Sequence, residues 1–267
     1  MHPKLSIITV VKNGMPFVEQ TIESVLGQNY GELEYIVIDG QSTDGTVDVI
    51  TSHESKIAKW VSEKDSGIAD AFNKGLSLAT GEYIMFLNAD DALAGPNVLQ
   101  DMAELIIENE FPALIYGDYN ILKRNSGEFM YHGVIKFSNS GLIHGQVLPH
   151  PCLLTRRSYF EKYGGFDPNF RIAMDYEWLL RGALVERIVH VPFHVSNIRD
   201  GGVSTLDHGR VVGEIIAALK KNQQIRSWAG EYKLRGYFFT RSLLRKTLSL
   251  IGLYRLFFAV RHWYRNG

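Results

Sequence analysis

The sequence predicts an α/β fold with a mostly parallel central sheet flanked by helices. Apolar runs alternate with segments of helical periodicity, which implies βαβ crossovers. The runs are apolar throughout rather than on every second residue, as strands covered by helices on both faces should be. Each run also ends abruptly in small and polar residues.

In order, Leu5 to Val11 is the first strand, "KNGMP" a turn, and Val18, Ile22, Val25 and Leu26 recur at helical spacing. Tyr35 to Ile38 is the second strand, followed by the turn "DGQSTDGT" and a helix around Val47 to Ile50. Lys59 to Val61 is the third, with a helix from about Ile68 to Leu78 that Gly81 is expected to close. The fourth strand, Tyr83 to Leu87, runs into "NADD" before a helix around Val98 to Ile107.

Ligands of such sheets bind beyond the carboxyl ends of the strands, near a switch in strand order. The residues there are Lys12 and Asn13, Asp39 with Gly40, Asp65 with Ser66 and Gly67, and Asn88 with Asp90 and Asp91. The first turn has neither a P-loop nor a GxGxxG pattern, which argues against an NTPase or a nicotinamide enzyme. Asp39 is still placed to accept hydrogen bonds from a ribose or a base, or else it is only a turn acid. Adjacent acids at a strand end repel, and hard oxygens suit Mg²⁺ or Mn²⁺ carrying the phosphates of a nucleotide. Turn and cap chemistry is the other reading of Asp90 and Asp91.

Composition narrows the class less than charge placement does. The 267 residues are 45% hydrophobic with 28 basic and 29 acidic side chains, an ordinary globular balance able to bury a large core. Residues 231–267 hold eight Lys or Arg and one acid, so this tail is +7 against −8 for residues 1–230. Cys152 is the single cysteine, which excludes an intramolecular disulfide and reads as a core thiol. No signal peptide and no membrane span is evident.

Three stretches, "SIITVVKNGMPFVEQTIESVLGQNYGELEYIVIDGQSTDGT", "EKDSGIADAFNKGLSLATGEYIMFLNADD" and "YFEKYGGFDPNFRIAMDYEWLLR", resemble the family 2 glycosyltransferases of the GT-A fold. The likeness runs over roughly residues 4–205, and the chain resembles in particular the bacterial transferases that build surface polysaccharides. It implies transfer of a sugar from a nucleotide diphosphate sugar, a UDP-sugar by resemblance, to an acceptor hydroxyl with inversion at the anomeric carbon. It also implies a nucleotide-sugar half at about 1–117 and an acceptor half at about 118–230.

Carried onto this chain, the resemblance puts Thr9, Val10 and Lys12 in the nucleotide pocket and Asp39, beside Gly40, on the base. Asp65 and Asp70 would lie near the nucleotide or donor sugar. The family's acidic motif reads Asn88, Ala89, Asp90 here, with an amide where many members have a first aspartate. Asp90 is then the main ligand for Mn²⁺ or Mg²⁺, and Asp91 is left for the sugar hydroxyls or a helix cap. The resemblance makes Asp175 the general base. Asp175 and Glu177 point about 200° apart on a helix, so only one of them faces the donor. His150 in "HPCLL" and the "YGGFD" turn at Tyr163 to Asp167 border the acceptor site, while "RDGGVSTLDH" resembles a loop over the diphosphate, with Arg199 or His208 in reach. His194 and His208, without a second ligand at metal spacing, read as surface or core residues.

The tail lies outside these motifs. Its arginines among aromatic and leucine residues suit a basic amphipathic helical extension on an anionic membrane. The family resemblance implies a saccharide or lipid-linked saccharide acceptor at the cytoplasmic face of a membrane, and with it a cytoplasmic chain bound peripherally at the inner membrane. Packing on the domain or an oligomer interface is the alternative for the tail, and no recognition motif points to nucleic acid. A sugar nucleotidyltransferase and a catalytically inactive nucleotide-sugar binder are the competing functions.

Overall fold

The computed structural model describes residues 2–201 and 208–250. The elements run β1 (Leu5–Val11), α1 (Val18–Leu26), β2 (Leu33–Asp39), α2 (Thr46–Ser52), β3 (Lys59–Ser62), α3 (Ile68–Leu78) and β4 (Tyr83–Asn88). Then follow β5 (Ala92–Leu93), α4 (Val98–Glu108), β6 (Leu114–Leu122), β7 (Phe129–Gly133), α5 (Asn139–Ile143) and β8 (Leu153–Arg156). The chain continues through α6 (Arg157–Tyr163), α7 (Met174–Leu180), β9 (Ile188–Arg199), α8 (His208–Lys221) and α9 (Trp228–Leu250). The glycine loop expected over the diphosphate falls mostly on residues 202–207, which with the His208 side chain and residues 251–267 of the tail lie outside the described part.

One sheet joins everything, in the order β3-β2-β1-β4-β8-β6-β9-β5 with β7 beside β6. The four N-terminal strands are parallel, as expected, and the second half adds antiparallel pairings of β8 to β4 and β6 and of β5 to β9. Strand order reverses at β1, which lies between β2 and β4. That reversal is the switch point at which such sheets bind ligands.

Side chains alternate between two cores. Ile8, Ile36, Ile38 and Phe86 face one, and Leu5, Ile7, Val37 and Met85 the other. In α3 the buried Ala69, Phe72 and Gly75 fall three apart on one stripe. A Cβ on Gly75 would come within 2.4 Å of Ile8, so glycine lets this helix lie close on the sheet. Phe72 stacks on Phe86 with ring centroids 4.4 Å apart, and Phe166 meets both edge-on. Burying each such side chain contributes about 1.5–3 kcal/mol.

Gly81 does not close α3. The helix ends at Leu78 with Ala79 already extended, and Gly81 lies against β1, where a Cβ would meet Ser6 N at 2.6 Å. The described part of the tail packs on the domain along one face. Leu234 and Phe238 of α9 are buried in the main core beside Ile215, while Trp228, Tyr232, Phe239 and Leu243 are exposed. No helix among the described residues is long and apolar enough to cross a membrane.

Glu34 joins β2 to the start of β4. Its buried carboxylate accepts from Ser6 Oγ (2.6 Å), Thr80 N (2.6 Å), Thr80 Oγ1 (2.7 Å) and Lys4 Nζ (3.3 Å). Burial opposes its charge, but these donors outweigh burial and hold the pKa down to about 2. A carboxylate depressed in the folded state stabilises above its unfolded pKa and loses that contribution as pH falls through the folded one. Glu34→Gln should therefore lower stability at neutral pH by about 1–3 kcal/mol in urea unfolding. The deficit against wild type should shrink as pH falls from the ordinary carboxylate range toward about 2; a deficit independent of pH would show that charge on Glu34 is not what the network uses.

Candidate active site

Parallel register brings three strand ends to one level: Val11 lies beside Asp39, and Val10 beside Asn88. Just beyond, the first turn is braced by the second. Asn13 N donates to Ser42 Oγ (2.7 Å), Thr43 N to Asn13 Oδ1 (3.0 Å) and Gly14 N to Thr46 Oγ1 (2.8 Å). Asn13 has φ of 54°, a left-handed conformation that asparagine tolerates. This bracing leaves Lys12 exposed at the mouth, with Val10 half-buried below it. Thr9 is turned away. It is fully buried and receives Tyr35 Oη at 3.1 Å, because odd-numbered residues of β1 face the core opposite to that of Val10.

Asp39 is buried and already satisfied by Ser42 N (3.1 Å), Ser42 Oγ and Ser62 Oγ (2.6 Å). It stiffens the floor of the mouth as a turn acid does. Gly40 is needed for space: a Cβ there would come within 2.1 Å of Asp65 Oδ2 and 3.4 Å of the Lys12 side chain. Asp65, Gly40 and Lys12 thus meet where β1, β2 and β3 end. Asp65 Oδ1 accepts Gly67 N (3.1 Å), and Asp70 accepts Ser66 N (2.9 Å) with Lys74 at 3.5 Å. The Ser66 amide, with Lys74 behind it, holds the Asp70 carboxyl below its ordinary range. Both acids shape the loop that opens α3.

The "NADD" stretch resolves its like charges by giving each acid a different environment. Asp91 is buried, with Oδ1 accepting Arg199 N (3.0 Å) and Oδ2 accepting Asn88 Nδ2 (2.9 Å). Burial first, and the neighbouring Asp90 second, push its pKa up to about 7 against those two donors. Asp91 ties β4 to β9 and does not cap α4, whose N-cap residue is Asn97. Asp90 is the carboxylate that stays at the surface, with a side chain 27% exposed and an ion pair to Arg124 through Oδ2. Ala89 packs under Gly14 and on the core side.

From the second half of the chain, α7 and the turn before β8 also bring side chains to this edge. In α7 the sequence sends Met174, Tyr176, Trp178, Leu179 and Leu180 into the core, together with Glu177. Glu177 is fully buried between Arg181, Lys221 (2.9 Å) and Asn222 (3.3 Å), whose charge and hydrogen bonds outweigh burial and keep it ionised. Glu214 of α8 accepts Ile172 N (2.8 Å) and Ala173 N (2.9 Å) at the start of the helix. With those two acids committed, Asp175 is the acid of α7 that points outward, half-buried, 3.8 Å from His150 Nδ1. His150 Nε2 lies 2.9 Å from Asn88 Oδ1. Beneath the pair is a cavity of about 20 Å³ lined by Phe86, Thr155, Phe166 and Trp178.

The remaining residues singled out from the sequence make the following contacts. Cys152 is a buried core thiol whose pKa burial pushes upward. Gly165 in "YGGFD" leaves room for Asn73 of α3, which bonds both the N–H and the C=O of Phe166 at 2.8 Å. His194 lies against His132 with ring centroids 4.4 Å apart, and among the described residues no three His, Cys, Asp or Glu group as a metal site. Arg199 stacks on Phe17 at 4.4 Å and reaches Gln20 Oε1 (2.6 Å). Arg124, from the β6–β7 turn, was not singled out by sequence. It sits in "LKRNSG", which carries no motif, and reaches Asp90 across 34 positions.

Comparison with known proteins places this geometry. The family model described as "Glycosyl transferase family 2" matches residues 6–164. A glycosyltransferase of Mycobacterium tuberculosis is 36% identical over 185 residues, covering 68% of this chain and 70% of that protein. Among solved structures, Staphylococcus aureus TarS 1–349 is similar in fold at 19–20% identity. One of its structures has a TM-score of 0.63 over 81% of this chain and 65% of that one; the complex with UDP-GlcNAc has 0.66 over 92% and 74%. The mannosyltransferase PcManGT from Pyrobaculum calidifontis, in complex with GDP-Man and Mn²⁺, has 17% identity and a TM-score of 0.66 over 98% of this chain and 83% of that one. The sheet with its switch at β1 is that of the GT-A glycosyltransferases, and the chain belongs to glycosyl transferase family 2.

Proposed function

We propose that this chain is an inverting glycosyltransferase of the hexosyltransferase type that takes a sugar from a nucleotide diphosphate sugar, a UDP-sugar by preference. The acceptor is a hydroxyl of a saccharide or lipid-linked saccharide in polysaccharide or lipopolysaccharide assembly. The observation that carries this reading is the meeting of the two halves at one edge. Asp175, the outward acid of α7, stands 3.8 Å from His150, and His150 stands 2.9 Å from Asn88 at the end of β4. A general base on the acceptor side thus faces the donor's strand ends. The TarS complex with UDP-GlcNAc and the PcManGT complex with GDP-Man support a nucleotide sugar as donor.

In this reading the acceptor oxygen attacks the anomeric carbon from the face opposite the leaving group. Its bond to that carbon forms as the carbon–oxygen bond to the diphosphate breaks. The hydroxyl proton goes to Asp175, because an alcohol at neutral pH cannot attack without losing it. Lys12 and Arg124 bring positive charge to the side where the diphosphate departs.

The residues at the mouth fit a divalent ion that arrives with the donor. Asn88 uses both ends of its amide within the protein and Asp91 is buried, so Asp90 is the carboxylate available to hold Mn²⁺ or Mg²⁺. One carboxylate plus phosphate oxygens is a coordination these ions accept. When bound, the ion adds charge that stabilises the departing diphosphate.

The exposed Trp228, Tyr232, Phe239 and Leu243 recur at spacings that share one face of α9, away from the buried Leu234 and Phe238. With the +7 tail, that face supports peripheral contact with an anionic membrane at the cytoplasmic side.

Asp175→Asn should lower kcat by about 10²–10⁴ while donor affinity stays within a factor of two or so, as read by product formation and calorimetry. Turnover within about tenfold of wild type would remove Asp175 from the base role. Asp90→Ala should abolish the gain in nucleoside diphosphate affinity that wild type shows on adding Mn²⁺, and equal affinities for both proteins with and without the ion would refute the metal assignment. Replacing Trp228, Tyr232, Phe239 and Leu243 together by Ser should release the full chain from anionic vesicles on flotation. Unchanged flotation would return this face to packing.

A further inference from the structure

The asparagine at the first position of the acidic motif has a consequence for the base 87 positions later. Asn88 Nδ2 points at the Asp91 carboxylate (2.9 Å), an oxygen-only group that accepts the amide N–H, so the amide oxygen must face the other way. That oxygen lies 2.9 Å from His150 Nε2. A carbonyl oxygen can only accept, so Nε2 carries the proton, and in the neutral ring the lone pair is on Nδ1. Nδ1 is the atom that faces Asp175 Oδ2. The 3.8 Å between them is beyond hydrogen-bond reach.

Resting on the reading of Asp175 as base, we propose that His150 is a positioning residue of the transfer reaction, locked by Asn88 into the Nε2–H tautomer so that Nδ1 is an acceptor for the proton Asp175 collects. Before reaction Asp175 is a carboxylate with no proton to give, and Nδ1 gains nothing from it. Once the acceptor hydroxyl has passed its proton to Asp175, the carboxylic acid O–H can donate to Nδ1. The proton either stays shared there or moves onto Nδ1, giving an imidazolium that keeps its Nε2–H on Asn88. An interaction present only as the proton arrives stabilises the transition state and not the ground state, and so raises kcat without tightening binding. Asp175 faces His150 from α7, and Asp91 lies behind Asn88 from the β4 end; Phe72 closes the remaining side with ring centroids 5.5 Å apart.

The arrangement also accounts for the amide. An aspartate at position 88 could accept from His150 but could not donate to Asp91, and three carboxylates would stand at one strand end. Asn88 satisfies both neighbours and fixes the ring at once.

The test reads tautomer and kinetics separately. In full-length protein labelled with ¹⁵N-histidine, at about pH 8 where an ordinary imidazole is neutral, long-range ¹H–¹⁵N spectra should show His150 as the Nε2–H tautomer, its signals assigned by their loss in His150→Gln. Asn88→Ser should turn that pure tautomer into a mixture. Both variants should lose about 10²-fold in kcat, the size of effect expected from a misplaced catalytic group, with donor KM unchanged and melting temperature close to wild type. An Nδ1–H tautomer in the wild type would overturn the proposal whatever the activity, and so would unaltered kcat in His150→Gln. If no sugar transfer is found with any nucleotide sugar, the tautomer spectra still decide the Asn88–His150 lock, so failure of the functional reading and failure of this one stay distinct.

Discussion

The pairing of β1 with β2 on one side and β4 on the other is the constraint on which the site depends. Strand order reverses at β1, so the crossovers on its two sides diverge and leave a crevice at the carboxyl ends. Parallel register then sets Val11, Asp39 and Asn88 at one height. The packing that holds this register is ordinary. Leu5, Ile7 and Ile8 are fully buried, and Glu34 ties the entry of the sheet to the turn before β4. A slip of one residue would exchange the two cores and send the polar ends to different levels.

The second half is fastened to that edge at two points, and at each a buried acid gives support while a neighbouring acid stays nearer the surface. Asp91 takes the Arg199 amide and the Asn88 side chain, which joins β4 to β9 and leaves Asp90 at the surface. Glu177 takes Arg181, Lys221 and Asn222, which fastens α7 to α8 and leaves Asp175 outward. A buried charge with its partners removed costs several kcal/mol, so these supports are stiff. The same physics explains why neighbouring acids of identical type have different roles: one is desolvated and hydrogen-bonded, the other is wet and available. The chain belongs to glycosyl transferase family 2, and His150 is one of the points where the two fastened halves touch through polar atoms, beside the Asp91–Arg199 and Asp90–Arg124 contacts.

Much of the fold was legible along the chain. The β-branched runs and the stripes of α1, α3 and α4 mark their elements within a residue or two, because each is a local pattern set by backbone period. Gly81 misled as a helix end because a glycine that relieves a clash with another strand looks the same in sequence as one that caps a helix. The family resemblance puts Thr9 in the pocket, and its strand end together with that resemblance puts Asp39 on the base; the hydrogen bonds of Thr9 with Tyr35, and of Asp39 with Ser42 and Ser62, can be read only from the folded chain. Arg124 carried no signal at all, since its meaning lies in a contact with Asp90 made by a hairpin from another part of the chain.

By itself the sequence determined the α/β class, the sheet's parallel first half, the edge at which polar residues gather and the family to which the chain belongs. These follow from periodicity and from short motifs, which are properties of neighbours in the chain. Only the tertiary structure decided which of two adjacent acids is buried, that Glu177 is buried and ion-paired while Asp175 stays partly exposed, and that Asn88 reaches His150 62 positions away. Those outcomes depend on desolvation and on hydrogen-bond partners brought together by folding, and neither is written in the spacing of residues along the chain.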